Sequence, residues 1–167
     1  MATAIVYGTT TGNTESAAEL IAGKLGISDV LNIASTDADT LNGFDKLIVG
    51  TSTWGSGDLQ DDWEAFDFSA LDLAGKTVAV FGVGDSSGYP DTYCGGMGKL
   101  AEKLKEAGAT LVGAVELDGY ENAADFADSE AIVDGKLVGL ALDADNYGDL
   151  TEERVDAWVE QIKGDIA

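Results

Sequence analysis

Five short apolar runs, separated by helical or irregular segments, constrain the fold of this 167-residue chain most strongly. The runs are rich in β-branched residues and mostly lack a polar face, which is typical of strands buried on both sides of a sheet. They cover residues 2–8, 29–34, 46–52, 76–84 and 110–117. Such strands occur in parallel sheets whose crossover connections place helices on both faces. The pattern therefore predicts a doubly wound α/β fold.

Helical patterns lie between the apolar runs. Apolar residues recur at spacings of three and four over 14–25, 97–104 and 150–162. Gly26 and Gly108 follow the first two of these segments and fit helix ends. A short helix is also expected over 58–66, with Leu59, Trp63 and Phe66 on one side.

The chain contains one proline and no Ser/Gly-rich linker, so we expect a single domain over residues 1–167. A polar, acidic segment at about 117–136 interrupts the last strand, and strand character resumes over 137–142. This segment either docks a partner or covers the edge of the sheet, and the sequence does not decide between the two.

The charge balance narrows the classes of function. Nine Lys and Arg residues face 31 Asp and Glu, for a net charge of -22, and there is no histidine. This argues against binding to nucleic acid or to an anionic membrane surface, because both depend on basic side chains. The acidic surface either attracts a basic partner or serves only solubility or salt adaptation.

Residue types exclude further chemistry. Cys94 is the only cysteine, so neither an intramolecular disulfide nor a four-ligand Cys/His metal site is possible. The absence of histidine excludes Ser-His and Cys-His nucleophiles. No apolar stretch approaches the ~18 residues that would span a bilayer, and the N-terminus lacks a basic targeting region. We therefore expect a soluble, cytoplasmic protein.

Three loops that follow predicted strands carry candidate binding residues, because ligands of open α/β sheets bind at the carboxyl ends of the strands. These loops cover residues 8–14, 50–58 and 82–93. The first reads GTTTGNT and opens a helix, whose free N–H groups bind phosphate without a cation. The loop matches neither the Walker A motif of triphosphate sites nor the G-x-G-x-x-G motif of dinucleotide sites. A phosphate monoester remains as the expected ligand group. The alternative is a helix N-cap with redundant threonines.

Each of the other two loops carries an aromatic residue among small ones: Trp54 and Tyr89. Both rings either fill the core or stack on a planar ligand. If the rings stack on a ligand and the first loop binds its phosphate, the ligand is a phosphorylated, flat ring system. Cys94 directly follows the third loop, and it is interpreted as a nucleophile, a redox switch or a plain small residue. The last is favoured, because no neighbouring base or positive group would lower its pKa.

Here the sequence resembles the flavodoxins. TTTGNT (9–14) matches the T-x-T-G-x-T phosphate loop of that family at every defined position. TSTWGSGDLQDDW (51–63), GDSSGYPDTYCGGMG (84–98) and the segment from GLALDADN to DLTEERVDAWV (139–159) resemble its second loop, third loop and C-terminal elements. The segment at about 117–136 resembles the insertion of the long-chain subgroup. The resemblance implies a flavodoxin-like three-layer sandwich, with a five-stranded parallel sheet of order 2-1-3-4-5.

The resemblance also implies function: one non-covalent FMN, single-electron shuttling between redox proteins, and no substrate turnover. The residues implied to bind FMN are the phosphate loop Thr9, Thr10, Thr11, Gly12, Asn13 and Thr14, the flanking aromatics Trp54 and Tyr89, and the backbone of Thr53, Gly55, Gly84 and Asp85. In this family the peptide after the first aromatic turns over on reduction, which places the turn at Gly55-Ser56. We therefore expect a stabilised neutral semiquinone, and a low potential for the semiquinone/hydroquinone couple in so acidic a protein.

Partners implied by the resemblance are redox proteins with basic docking surfaces, such as ferredoxin-NADP reductase. Nitrogenase reductase and a photosystem are further candidates. The docking face is expected around Trp54, Asp58, Asp61, Asp62 and Glu64, and the protein is expected to be a monomer. One alternative is an FMN-dependent NAD(P)H:quinone reductase, although no basic cluster for a nucleotide is visible. A receiver-type signalling module is another, but Gly50-Thr51 stands where it needs an aspartate.

Overall fold

The computed structural model describes residues 3–8, 12–54, 58–59, 61–84, 93–117, 120, 126, 129–143 and 147–166, without the side chains of 53, 54, 58, 59 and 61. The strands are β1 (Thr3–Gly8), β2 (Val30–Asn32), β3 (Lys46–Trp54), β4 (Asp58–Leu59), β5 (Thr77–Val83), β6 (Thr110–Val112), β7 (Ile132–Val133), β8 (Lys136–Leu137) and β9 (Leu140–Leu142). The helices are α1 (Asn13–Leu25), α2 (Ala38–Asn42), α3 (Asp61–Glu64), α4 (Gly95–Glu106) and α5 (Thr151–Ile166).

The central sheet is parallel and has the order β2-β1-β3-β5-β6, with β9 also pairing with β5. Counted by position, this is the predicted order 2-1-3-4-5, and the doubly wound fold is confirmed. The fifth position is shared, because β6 pairs with the first half of β5 and β9 pairs with its second half. The interruption between these two strands runs over 113–139 and is longer than the expected 117–136.

Alternate residues of each strand pack into two separate cores, which explains the unbroken apolar runs. In β1, Ala4 and Val6 face one core, while Ile5 and Tyr7 face the other. The core around α2, α3 and α4 contains Leu41, Trp63, Met97, Leu100 and Leu104. The core around α1 and α5 contains Ala18, Ile21, Val155, Trp158 and Ile162. Helices therefore cover both faces of the sheet, as the sequence predicts.

Helix ends follow their local sequence. Gly26 ends α1 in the left-handed conformation, with φ 71°, and its N–H donates to the Ala22 carbonyl. Asp37 caps α2 by accepting hydrogen bonds from the Thr40 hydroxyl at 2.7 Å and from the Thr40 N–H at 2.9 Å, and these bonds lower the Asp37 pKa. The expected helix over 58–66 is wrong in its first part. Residues Asp58–Leu59 form β4, which pairs antiparallel with the end of β3, and the helix is reduced to α3.

Candidate functional site

The three predicted loops begin side by side at the carboxyl end of the sheet. β1, β3 and β5 are neighbours, with Gly8 opposite Thr51 and Ser52 opposite Val83. Because these strands are parallel, the segments that follow them start at the same end of the sheet. The structure therefore brings the first, second and third loops to one place.

The start of α1 carries the features of an anion site. Gly12 occupies its N-cap position with φ 92°, a left-handed conformation that glycine adopts at little cost. Glycine has no side chain with which to cap the helix from this position. The N–H groups of a first turn have no partners within the helix, and the helix dipole favours a negative charge at this end. This end of α1 is therefore suited to a phosphate group.

Thr14, in the first turn of α1, is fully buried, and its Oγ1 has no hydrogen-bond partner among the described residues. A buried hydroxyl without a partner is costly, and a bound ion or ligand group is one explanation for its presence. A phosphate oxygen would accept this hydrogen bond. The chemistry of this position therefore fits a bound phosphate monoester.

The charge near this position is negative. Tyr7 of β1 donates its hydroxyl hydrogen to Oε2 of Glu15 at 3.0 Å. Burial, followed by this carboxylate, raises the Tyr7 pKa. The first basic residue after the loop is Lys24, in the last turn of α1, roughly 16 Å along the helix axis. A phosphate held here would keep its charge, bound by N–H and hydroxyl donors.

Trp63, in the helix that follows the second loop, is hydrogen-bonded to the strand that precedes the loop. The ring is fully buried, and its Nε1–H donates to the Gly50 carbonyl of β3 at 2.8 Å. Trp63 also stacks on Phe68, with ring centroids 5.8 Å apart. The pairing of Trp54 with Asp58 joins β3 to β4 just before α3. The Trp63 hydrogen bond therefore ties the segment after the loop to the strand that leads into it.

Ser52, near the end of β3, resembles Thr14 in one respect: its Oγ is buried and has no hydrogen-bond partner among the described residues. It lies beside Val83 at the carboxyl end of the sheet. Sequence reasoning missed Ser52 as a candidate site residue. Its position, where the predicted strand over 46–52 ends within the second loop, was the available signal.

At the third loop, Gly84 lies close to the backbone that begins α4. A Cβ at Gly84 would stand 3.0 Å from the Cys94 backbone nitrogen and 3.2 Å from Cδ1 of Tyr93. The Gly84 N–H donates to the Leu142 carbonyl at 3.0 Å. Gly84 is therefore held between β9 and the Tyr93–Cys94 pair.

Cys94 is fully buried, and burial raises the pKa of its thiol from 9.0 to about 12. The backbone at Cys94 has φ 53° and forms the N-cap of α4. A buried, protonated thiol is a poor nucleophile. This geometry agrees with the interpretation of Cys94 as a plain small residue.

The predicted site residues divide into two groups. The structure places Gly12, Asn13, Thr14 and Gly84 at the carboxyl end of the sheet, together with the backbone of Thr53 and Trp54. The others lie outside the described residues: Thr9, Thr10, Thr11, Gly55, Asp85 and Tyr89. Within the described part of the chain, no group of three or more His, Cys, Asp or Glu side chains is arranged to hold a metal ion. No helix there has the length and apolar character needed to cross a membrane.

Comparison with known proteins decides the family. The flavodoxin family model matches residues 5–158. The chain belongs to the flavodoxin family. The matched range includes all three loops, and the resemblance of the sequence to the flavodoxins is confirmed.

Individual flavodoxins resemble this family member over nearly its whole length. The flavodoxin of a Picosynechococcus species is 45% identical over 164 residues, covering 95% of this chain and 94% of the relative. Flavodoxin 1 of Salmonella typhimurium is 38% identical, covering 98% and 94%. Among solved structures, Fusobacterium nucleatum flavodoxin bound to flavin mononucleotide has a TM-score of 0.88 at 27% identity, and the match covers 99% of both chains.

Proposed function

We propose that this flavodoxin is a single-domain electron carrier between redox proteins, and that it turns over no substrate of its own. The chain binds FMN and transfers electrons, as its family does. When bound, FMN supplies a redox centre that takes up and releases electrons one at a time. The proposal also retains two expectations from the sequence, a cytoplasmic location and a monomeric state.

The Thr14 hydroxyl, which is buried and has no hydrogen-bond partner in the described part of the chain, carries the proposal for the phosphate. In the proposed site, the Thr14 hydroxyl and the N–H groups at the start of α1 hold the FMN phosphate. The remaining phosphate contacts are assigned to Thr9, Thr10, Thr11, Gly12 and Asn13. The Glu15 carboxylate lies beside the proposed phosphate position. It accepts a 3.0 Å hydrogen bond from the Tyr7 hydroxyl, which directs it toward Tyr7.

The flavin ring and ribityl chain are assigned to the second and third loops. Trp54 and Tyr89 are proposed to flank the ring, while the backbone of Thr53, Gly55, Gly84 and Asp85 contacts the cofactor. The buried hydroxyl of Ser52 is added to this set, because it lies at the same end of the sheet and lacks a partner among the described residues.

Basic residues are distributed unevenly between the two ends of the molecule, which supports a basic partner at the end with fewer of them. Six of the nine basic residues lie at the amino end of the sheet, at strand starts or in the last turns of helices: Lys24, Lys46, Lys76, Lys103, Lys105 and Lys163. The carboxyl end carries acidic first turns at α1 and α5. A partner with a basic surface would therefore be drawn toward the cofactor end.

The proposed docking face is Trp54, Asp58, Asp61, Asp62 and Glu64. Asp62 is half-buried and Glu64 is exposed. Candidate partners are a reductase such as ferredoxin-NADP reductase, nitrogenase reductase or a photosystem. The acidic residues in the first turns of α1 and α5 also interact favourably with the helix dipoles. They therefore stabilise these two helices as well as attracting a basic partner.

Stepwise reduction of the FMN-loaded protein, followed by its absorption spectrum, tests the proposal. We expect a yellow protein that accepts two electrons in two separate steps and passes them to a second redox protein. Direct oxidation of NAD(P)H with quinone reduction would instead indicate an enzyme. A protein that stays colourless after incubation with FMN would refute the cofactor assignment, and sedimentation would test the monomeric state.

A further inference from the structure

The insertion (residues 113–139) makes two distinct kinds of contact. Near its two ends, Val115 and Leu137 exchange two backbone hydrogen bonds of 2.9 Å each. This antiparallel bridge closes the insertion on itself. Further along, the insertion returns to the carboxyl end of the sheet. There the Ser129 hydroxyl, 4% exposed, donates to the Tyr93 carbonyl at 2.5 Å.

Ser129 is itself held in place. Its Oγ accepts a hydrogen bond from the Ala131 N–H at 3.1 Å, so the hydroxyl hydrogen is directed to the Tyr93 carbonyl. Close packing fixes the same turn against α4. A Cβ at Gly98 would lie only 2.3 Å from the Glu130 carbonyl oxygen, so glycine permits this approach.

Two aromatic rings of the insertion also hold Tyr93 in place. Phe126 is fully buried and packs on Tyr93, with ring centroids 4.8 Å apart. Tyr120 meets Phe126 edge-on at 5.9 Å and donates its hydroxyl hydrogen to the Ala141 carbonyl at 2.7 Å. The insertion is therefore bonded both to β9 and to the residues that precede α4.

Tyr93 and Cys94 in turn form the surface against which Gly84 lies. A Cβ at Gly84 would make tight contacts with both of them, at 3.0 Å and 3.2 Å. Gly84 is a proposed contact of the flavin. A continuous series of contacts thus runs from the Ser129 hydroxyl, through the Tyr93 carbonyl, to the Gly84 backbone.

We propose that Ser129 is a positioning residue for the flavin site, acting through Tyr93 to hold Gly84. The insertion then does more than close on itself through the Val115–Leu137 bridge, because the Ser129 hydrogen bond joins it to the residues that precede α4. The inference rests on the proposed flavin site. A backbone that is already in its bound arrangement loses less conformational freedom when ligand binds, so the Ser129 hydrogen bond should raise FMN affinity.

The test compares Ser129→Ala with Tyr120→Phe and Val133→Thr. Tyr120→Phe also removes one buried hydroxyl–carbonyl hydrogen bond from the insertion, but leaves the Tyr93 carbonyl bonded. Val133 is 41% exposed on the insertion hairpin and serves as a surface control. For each protein we would measure the FMN dissociation constant, the thermal midpoint without FMN, and the visible circular dichroism of saturated protein.

We expect Ser129→Ala to raise the FMN dissociation constant about tenfold, as for one lost buried hydrogen bond, and to change the visible circular dichroism of the bound flavin. Tyr120→Phe should lower the thermal midpoint with less than about a twofold effect on binding. Ser129→Thr, which keeps a hydroxyl, should restore part of the affinity.

Two results would overturn the inference. One is an unchanged dissociation constant and flavin spectrum in Ser129→Ala. The other is an equal loss of affinity in Ser129→Ala and Tyr120→Phe, which would indicate general loosening of the insertion. Failure of the unmodified protein to bind FMN would refute the proposed function itself, so the two failures are distinguishable.

Discussion

Thr14 shows how one residue can be unfavourable for the fold and useful for binding. Its hydroxyl is buried at the start of α1 and has no hydrogen-bond partner among the described residues. Burial of such a group costs about 1–3 kcal/mol in proteins. The cofactor phosphate would offset that cost by accepting the hydrogen bond.

Thr14→Val, which keeps the shape of the side chain, should therefore separate binding from stability. We expect the FMN dissociation constant to rise about tenfold or more, because a hydrogen bond to a charged group contributes about 1.5–3 kcal/mol. The free energy of unfolding without FMN should stay the same or increase by about 1 kcal/mol. Thr77→Val, at the opposite end of the sheet, is the control for flavin titration and urea unfolding. A drop in stability without loss of affinity would contradict the assignment.

The Cys94 thiol predicts an alkaline limit to stability. Its pKa is 9.0 in the usual state and about 12 when folded. Between these values the unfolded chain binds fewer protons than the folded chain, so stability is complete below pH 9 and falls as pH rises toward 12. Urea unfolding at pH 8 and pH 10 should show this loss, and Cys94→Ala should reduce it.

Thiol accessibility gives an independent check on the same residue. A thiol reagent at pH 8 should leave the folded protein unmodified and should react after unfolding in urea, because burial keeps the thiol protonated and inaccessible. Rapid labelling of the native protein would indicate that Cys94 is a reactive residue after all.

At the scale of elements, two glycines mark where the insertion leaves and re-enters the sheet. Gly113 follows β6 with φ 85°, and a Cβ there would lie 3.0 Å from Trp158 Nε1. At Gly139, just before β9, a Cβ would lie 2.0 Å from the Val80 carbonyl oxygen of β5. The second contact is with the backbone of a central strand, which cannot move without disturbing the sheet.

Gly139→Ala should therefore be strongly destabilising. We expect a loss of about 3 kcal/mol in the free energy of unfolding, since the added methyl group overpacks a rigid backbone. Gly23→Ala is the matched control, because the Cβ of a residue there meets nothing within 4 Å in the exposed part of α1. That change should stabilise by about 0.5–1 kcal/mol, owing to the higher helix propensity of alanine. Chemical denaturation of both variants measures the difference, and equal stabilities would contradict the proposed clash.

At the scale of the whole molecule, a net charge of -22 is combined with an uneven distribution of the basic residues. Long-range attraction depends on this distribution and on ionic strength. The position of a carboxylate should therefore matter more to partner association than its effect on net charge.

Two double variants with the same change in charge test this expectation. Asp62→Asn with Glu64→Gln removes two carboxylates from the proposed docking face, while Glu106→Gln with Asp165→Asn removes two from the opposite end. With a basic c-type cytochrome as acceptor at low salt, the first pair should slow electron transfer severalfold and the second should not. The difference should disappear at high salt. Equal slowing by both pairs would mean that net charge alone controls association.

The sequence by itself determined the features that depend on local pattern. Apolar runs without a polar face predict strands covered on both sides, and the threonine-rich loop before α1 predicts a phosphate site at that end of the sheet. The first inference is confirmed by the fold, because side-chain periodicity directly reflects burial. The phosphate site stays a prediction, which rests on the backbone conformation that turn residues favour. The family resemblance then identified the cofactor, which no periodicity indicates.

Only the tertiary structure decided how distant segments meet. It divided the fifth sheet position between β6 and β9, placed Trp63 beneath β3, and brought Ser129 to Tyr93 across 36 positions of sequence. It also converted Asp58–Leu59 from an expected helix into a strand paired with β3. Such contacts depend on the path of the whole chain and on long-range packing, which outweigh local propensity and leave no periodic signal in the sequence.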